Sequence, residues 1–184
     1  MIEVIAYRGQ HGRKTGHLET RHAAVYFGEL AVAEHYARQP NRRGDVALEP
    51  HVFIASLKLH RPFINTPNDP FLELSDVVDK LGVTEAQRIA RKFAAHIMQT
   101  NSWESQFSQY SGVEELLQQD AGALDELYFP AYWFLSDPVE VNRLKAAGFD
   151  GAVHGGSGVS ALTTEYCVFD ADKSALILAV DTLG

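Results

Sequence analysis

Two periodicities divide this chain, and their order constrains the fold more than any other feature. Near both ends apolar residues alternate, as on a strand with one face in a core. Between the ends they recur every three to four residues, as on an amphipathic helix. The clearest alternation runs from His51 to Leu59, where Val52, Ile54 and Ser56 oppose Phe53, Ala55 and Leu57. Residues 2–8 alternate and are β-rich, and residues 22–27 predict a second short strand. Glu29 to Arg38 predicts a helix with Leu30, Ala33 and Ala37 on one face. The chain returns to strand at Gly151–His154, Glu165–Asp170 and Ala175–Asp181.

The middle, roughly 72–135, reads as helical. Before it, Pro62, Pro67 and Pro70 end the sheet signal over residues 60–70. Thr84-Glu85-Ala86-Gln87 and Ser111-Gly112-Val113-Glu114 predict capping boxes, and Ile89, Phe93 and Ile97 follow the first at helical spacing. Asp137-Pro138 predicts an N-cap with proline in the first turn, and Gly148 a stop. Residues 9–21 and 39–49 read as polar loops. The order is strand, helix, strand, helical block, strands. It predicts one α+β domain over residues 1–184, interrupted by a helical insertion at about 66–136, rather than a βαβ alternation. No glycine-rich phosphate loop follows a strand, which argues against a Rossmann or P-loop site.

Composition narrows the function classes. The 184 residues, 46% of them apolar, suit one domain with a real core. No apolar run approaches the roughly 20 residues of a membrane span, so no membrane partner is expected. Met1 to Ala6 carries no basic leader and predicts a strand, which makes cytoplasmic synthesis the expectation, with or without later delivery into a host cell. Cys167 is the single cysteine, so no internal disulfide forms, and buried packing suits it better than nucleophilic work. The eight histidines show no metal-ligand spacing, and no metal is expected. A net charge of -8 disfavours nonspecific nucleic-acid binding. Arg8, Arg13, Lys14, Arg21, Arg38, Arg42 and Arg43 read either as a local positive face or, more simply, as scattered solvated charge.

Three segments carry candidate chemistry. Tyr7-Arg8-Gly9 lies on the first strand. Val25-Tyr26-Phe27-Gly28 leads into a helix bearing Tyr36 and Ala37. Glu165 opens the apolar run to Asp170, directly behind Gly155-Gly156-Ser157-Gly158. A carboxylate there is poorly explained as core or as ordinary solvated charge. A carboxylate can hold sugar hydroxyls and stabilise an oxocarbenium-like state. Aromatic rings can stack on a nicotinamide, and a cation can steer ribose or pyrophosphate. Each residue also has a plainer role. Arg8 would serve as a strand-end ion pair, Tyr26 as core, Tyr36 as helix surface and Glu165 as strand surface. His154 stands between a loop histidine and an acceptor or ribose contact, and Gln10 and His11 between pocket lining and loop.

These segments resemble the ADP-ribosyltransferase superfamily, and within it the small transferase domains of phage and mobile elements. The strongest part is Ala147-Gly148-Phe149-Asp150-Gly151 followed by Glu165-Tyr166-Cys167-Val168-Phe169-Asp170. The resemblance spans nearly the whole chain outside the helical block. It implies a split β-sandwich, NAD as co-substrate, and mono-ADP-ribosyl transfer to a macromolecular acceptor, a protein before a nucleic acid. The biological role implied is an effector toxin or an inhibitor of a host defence. Glu165 is then the catalytic glutamate, and Arg8 contacts ribose or phosphates. The Gly9 backbone holds the carboxamide. Tyr26 and Tyr36 flank the nicotinamide, with Gln10 and Phe27 lining the pocket. The loop from Gly155 to Thr164 faces the acceptor, and the helical block binds the target. The chain departs from the superfamily in three ways. Its two-tyrosine branch carries His where this chain has Arg8. Its arginine branch carries a Ser-Thr-Ser strand, absent here. Thr163 replaces the acidic or amide residue that accompanies Arg, Cys or Asn modification, which argues against arginine as acceptor. An NAD glycohydrolase and a non-catalytic protein-binding module stay open as alternatives.

Overall fold

The computed structural model describes residues 1–12, 18, 23–39, 49–161 and 163–183. They form an α+β fold that divides into two compact units, Phe71–Phe134 and the remainder on either side of it. In chain order the remainder begins with β1 (Ile2–Gly12), β2 (Val25–Phe27), α1 (Leu30–Arg38), β3 (Glu49–Leu59) and β4 (Pro62–Thr66). The inserted unit holds β5 (Phe71–Glu73), α2 (Leu74–Leu81), α3 (Val83–Lys92), α4 (Ala94–Ile97), α5 (Val113–Gln119) and β6 (Tyr128–Pro130), and α6 (Ala131–Leu135) leads out of it. Then come α7 (Pro138–Ala146), β7 (Gly151–Gly155), β8 (Thr164–Val168), α8 (Ala171–Ser174) and β9 (Ala175–Thr182).

The larger unit contains two sheets. One has the order β1-β3-β9 and is antiparallel. The other has the order β2-β8-β7-β4, antiparallel except at the parallel β4–β7 edge. One apolar core takes side chains from both. Ala6, Ala55, Leu57 and Leu59 from the first sheet meet Val25, Phe27, Val153 and Val168 from the second. Each strand supplies every second residue, as the pleat requires. The alternation then fixes the other side chains. Arg8 and Gln10 share the inner face with Ala6, whereas Tyr26, Ala152, His154, Glu165 and Cys167 stand on the outer face of the four-stranded sheet. Burying a side chain such as Phe27 contributes about 1.5–3 kcal/mol, so this facing assignment is strongly held.

Several local expectations need correction. The first strand does not stop at residue 8. It pairs with β3 along its whole length, and that ladder draws Gly9, Gln10 and His11 into strand despite their weak propensity. Residues 60–70 do not end the sheet. Pro62 opens β4, which is an edge strand, and the first residue of an edge strand is where proline's missing N–H is tolerated. The capping boxes fail as drawn. Gly82 caps α3, and Thr84 sits inside the helix without a capping bond. Gly112 caps α5, while Ser111 gives its N–H and hydroxyl to Glu115, 2.7 and 2.6 Å away. The block is not purely helical either, since β5 and β6 pair within it.

Other signals are present as read. Asp137 Oδ1 accepts from the Val139 and Glu140 N–H groups at 2.9 and 3.2 Å. Gly148 takes φ +86° after α7, and Phe149 N–H bonds the Leu144 carbonyl behind it. Arg13, Lys14, Arg21, Arg42 and Arg43 lie outside the described residues, with most of the two expected polar loops and residue 22 of the expected second strand. In the inserted unit, Phe93 stacks on Phe129 at 4.8 Å and meets Phe134 edge-on at 5.9 Å. No helix among the described residues is long and apolar enough to cross a membrane.

Candidate functional site

The two sheets meet where Tyr7 and Gly28 exchange both backbone hydrogen bonds, at 2.9 and 2.8 Å. In an antiparallel pair a residue points its N–H and C=O to the same side, and the side alternates. Gly9 therefore directs its backbone groups as Tyr7 does, away from β3. Tyr26 directs its own toward β1, as Gly28 does. Continued pairing would join Gly9 to Tyr26. Instead the Tyr26 carbonyl accepts from Arg8 Nη1 at 3.0 Å. A guanidinium takes the place of a strand partner, and β1 and β2 diverge there.

Gly9 has a second constraint. A Cβ at this position would fall on the Ala33 carbonyl of α1 and against the Ala37 nitrogen. The missing side chain lets α1 lie directly on β1, with Ala33 and Ala37 packed against Val52. His11 fastens the same helix, its Nδ1 2.9 Å from the Ala37 carbonyl.

Glu165 lies across from His154 in the β7–β8 ladder, and Tyr26 pairs with Cys167 in the β2–β8 ladder. One step along that register brings Gly28 level with Glu165. Three strands thus put Tyr26, His154 and Glu165 on one face. The His154 ring is 2% exposed and meets the Tyr26 ring edge-on, with centroids 6.3 Å apart. The Tyr26 hydroxyl is tethered to Ser136 Oγ at 3.0 Å. His154 Nε2 stands 3.9 Å from Glu165 Oε2, and the Glu165 side chain is 15% exposed. Glu165 Oε1 accepts from Ser160 Oγ. That oxygen also lies 2.9 Å from the Ser157 carbonyl, so its single proton serves one acceptor at a time. The Gly158–Ser160 turn is held further by Thr163, whose hydroxyl donates to the Ser160 carbonyl at 2.6 Å.

Burial pushes the His154 pKa down, against the opposing pull of the Gly155 carbonyl and the Glu165 charge. The imidazole is therefore neutral at pH 7. Its Nδ1 is 2.8 Å from the Gly155 carbonyl, an arrangement that requires the proton on Nδ1 and a lone pair on Nε2. Cys167 is wholly buried, and burial drives its thiol far above the ordinary range, so it packs as a protonated side chain.

The expected site residues separate into groups. Tyr26 and Glu165 come together on one face, and Arg8 and Gly9 line the split beside the Tyr26 backbone. Tyr36 stands on α1, 43% exposed, with its ring edge-on to His35. Gln10 is buried on the inner face beside His51. Phe27, expected among the NAD contacts, faces the core instead, because alternation turns it opposite to Tyr26. Sequence reading missed Ser160 and Ser136. Both are ordinary serines in loop-like surroundings, and only the fold reveals what they touch. Among the described residues no group of three or more His, Cys, Asp or Glu could hold a metal ion.

Set against known proteins, the chain matches no family model, no curated protein and no solved structure.

Proposed function

We propose that this protein is a mono-ADP-ribosyltransferase that cleaves NAD and passes ADP-ribose to a macromolecular acceptor, a protein side chain in the first instance. The observation that carries the reading is the divergence of β1 from β2 after the Tyr7–Gly28 pair, next to the sheet face that bears Tyr26 and Glu165. A nicotinamide carboxamide offers one N–H side and one carbonyl. Gly9 offers the complement, directed into the split. The amide would dock as a further strand residue would.

The chemistry follows from the neighbours. Tyr26, tethered through its hydroxyl, presents an aromatic surface to the nicotinamide. Glu165 accepts a ribose hydroxyl and stabilises positive charge as the C1′–N bond breaks. The bonding pair leaves with the nicotinamide nitrogen and neutralises the ring. The acceptor then attacks C1′ with a lone pair and releases its proton to solvent. Arg8, held on the Tyr26 carbonyl, brings positive charge to the split, where a pyrophosphate would be steered. Tyr36 on α1 would cover the second side of the ring. The two facing sheets with their short junction support reading the fold as the split β-sandwich of this superfamily. In the inserted unit, Trp133 is 48% exposed and stacks on His96 at 4.6 Å, a surface suited to docking a protein target.

NAD labelled in its adenylate half, incubated with bacterial lysate, tests the reaction class. Label that enters macromolecules with the wild type and not with Glu165→Gln supports transfer. Label released only as free ADP-ribose indicates a glycohydrolase. If neither protein consumes NAD, a non-catalytic module remains.

A further inference from the structure

We propose that His154 and Ser160 form a latch on Glu165: Ser160 holds Oε1, and the His154 imidazole decides whether Oε2 is available to substrate. The catalytic consequence rests on the reading of Glu165 given above; the latch itself does not.

The geometry sets the argument. The Gly155 carbonyl fixes the tautomer, so the neutral ring aims the Nε2 lone pair at a carboxylate oxygen 3.9 Å away. Two acceptors cannot bond each other. Nε2 has no hydrogen-bond partner among the described residues although its ring is buried, and a buried group in that condition calls for an explanation. Thr66, in register with His154 across the parallel β4–β7 pair, also has a buried hydroxyl with no partner among the described residues. While the ring is neutral it offers Oε2 no donor, which leaves this partly exposed oxygen open to water or to a ligand, and a sugar hydroxyl is such a donor. A proton on Nε2 changes this. The N–H then points at Oε2 and can close the gap to a charge-assisted bond. Oε2 is withdrawn from the substrate and its charge is cancelled.

The titratable groups facing His154 are few. Glu165 and Cys167 come from β8 and Tyr26 from β2, while Asp69 follows β4 and takes the Gly155 N–H on its carbonyl. Of these Glu165 is the one set against Nε2. Ser160 is 1% exposed and therefore holds the carboxylate rather than touching substrate.

The test has one arm independent of NAD. In protein carrying ¹⁵N-labelled histidine, with His154→Gln used to assign the signal, the neutral ring is expected as the tautomer protonated at Nδ1. Glu165→Gln should lower the His154 midpoint by about one pH unit, because it removes the anion that favours imidazolium. The opposite tautomer, or a midpoint unmoved by Glu165→Gln, overturns the latch. The second arm uses NAD cleavage across pH. Wild type should lose activity on the acid side at the His154 midpoint. His154→Gln, whose amide donates to Oε2 at every pH, should stay at least tenfold lower throughout. His154→Met, similar in size and without a donor, should keep activity and lose the acid limb. An unchanged acid limb in His154→Met, with melting like wild type, also overturns the proposal. Failure of wild type to cleave NAD at all removes the catalytic reading, and the tautomer and midpoint then decide the latch alone.

Discussion

The two units of the chain treat polar side chains differently. In Phe71–Phe134 the buried polar residue is Thr100. Its hydroxyl donates to the Ile97 carbonyl at 2.7 Å and accepts from Trp103 N–H at 3.2 Å, so both needs are met by residues three positions away on either side. The larger unit buries Gln10, His51, Glu140, His154, Ser160 and Ser174, and leaves His51 Nε2, His154 Nε2 and Thr66 Oγ1 without partners among the described residues. Leaving a buried polar atom unpaired costs about 1–3 kcal/mol. A fold retains such costs where they serve chemistry more readily than where they serve packing. The inserted unit thus satisfies its buried polar side chain locally, while the larger unit holds the buried polar atoms left unpaired among the described residues.

The largest effect that should separate the units is a cavity. Phe129→Ala removes the ring stacked on Phe93 and should lower stability by about 3–5 kcal/mol in urea unfolding. Nicotinamide release per folded molecule should survive it; loss of release at full folding would show that the inserted unit contributes to the site. Gly9→Ala should cost about 1–3 kcal/mol, since a methyl group there forces α1 off β1. It should also weaken NAD binding measured by calorimetry, and unchanged binding would remove Gly9 from the site.

A smaller effect follows from His154. Its folded pKa is lowered, so as pH falls below about 6.5 the unfolded chain gains a proton before the folded one does. Its stabilising contribution is full above that pH and is lost as pH falls toward the depressed folded value. Between about pH 7.5 and 5 the melting temperature of His154→Met should therefore fall less than that of wild type. The smallest change in stability, within about 0.5 kcal/mol, is expected for Trp133→Ala. Labelling of a protein target should nonetheless drop while nicotinamide release stays constant. Loss of both would break the division of labour.

The same contrast explains what was legible in the sequence. Alternation at His51–Leu59 fixed a strand and its faces, because a one-residue slip would turn Phe53 and Leu57 out of the core. Asp137-Pro138 and Gly148 marked α7 because caps act through neighbouring backbone. Tyr26 and Glu165 were singled out by the motifs around them, and the registers of β2, β7 and β8 place both side chains on one sheet face. What was illegible depended on distant pairing. β1 extends through Gly9 only because β3 runs beside it. Pro62 begins a strand only because β7 offers it an edge. Arg8 bonding the Tyr26 carbonyl, and Ser160 and His154 meeting Glu165, require folded registers that no local pattern encodes. Phe27 was misplaced for lack of one fact, the face its neighbour takes.

The most direct measurement is the rate of nicotinamide release from NAD by purified wild type and Glu165→Gln, each with and without lysate, alongside their melting temperatures. The account predicts release by the wild type that falls at least about a hundredfold in Glu165→Gln, as for loss of a group that stabilises transition-state charge, with melting unchanged. Equal release by the two proteins, or none by a folded wild type under either condition, would contradict it.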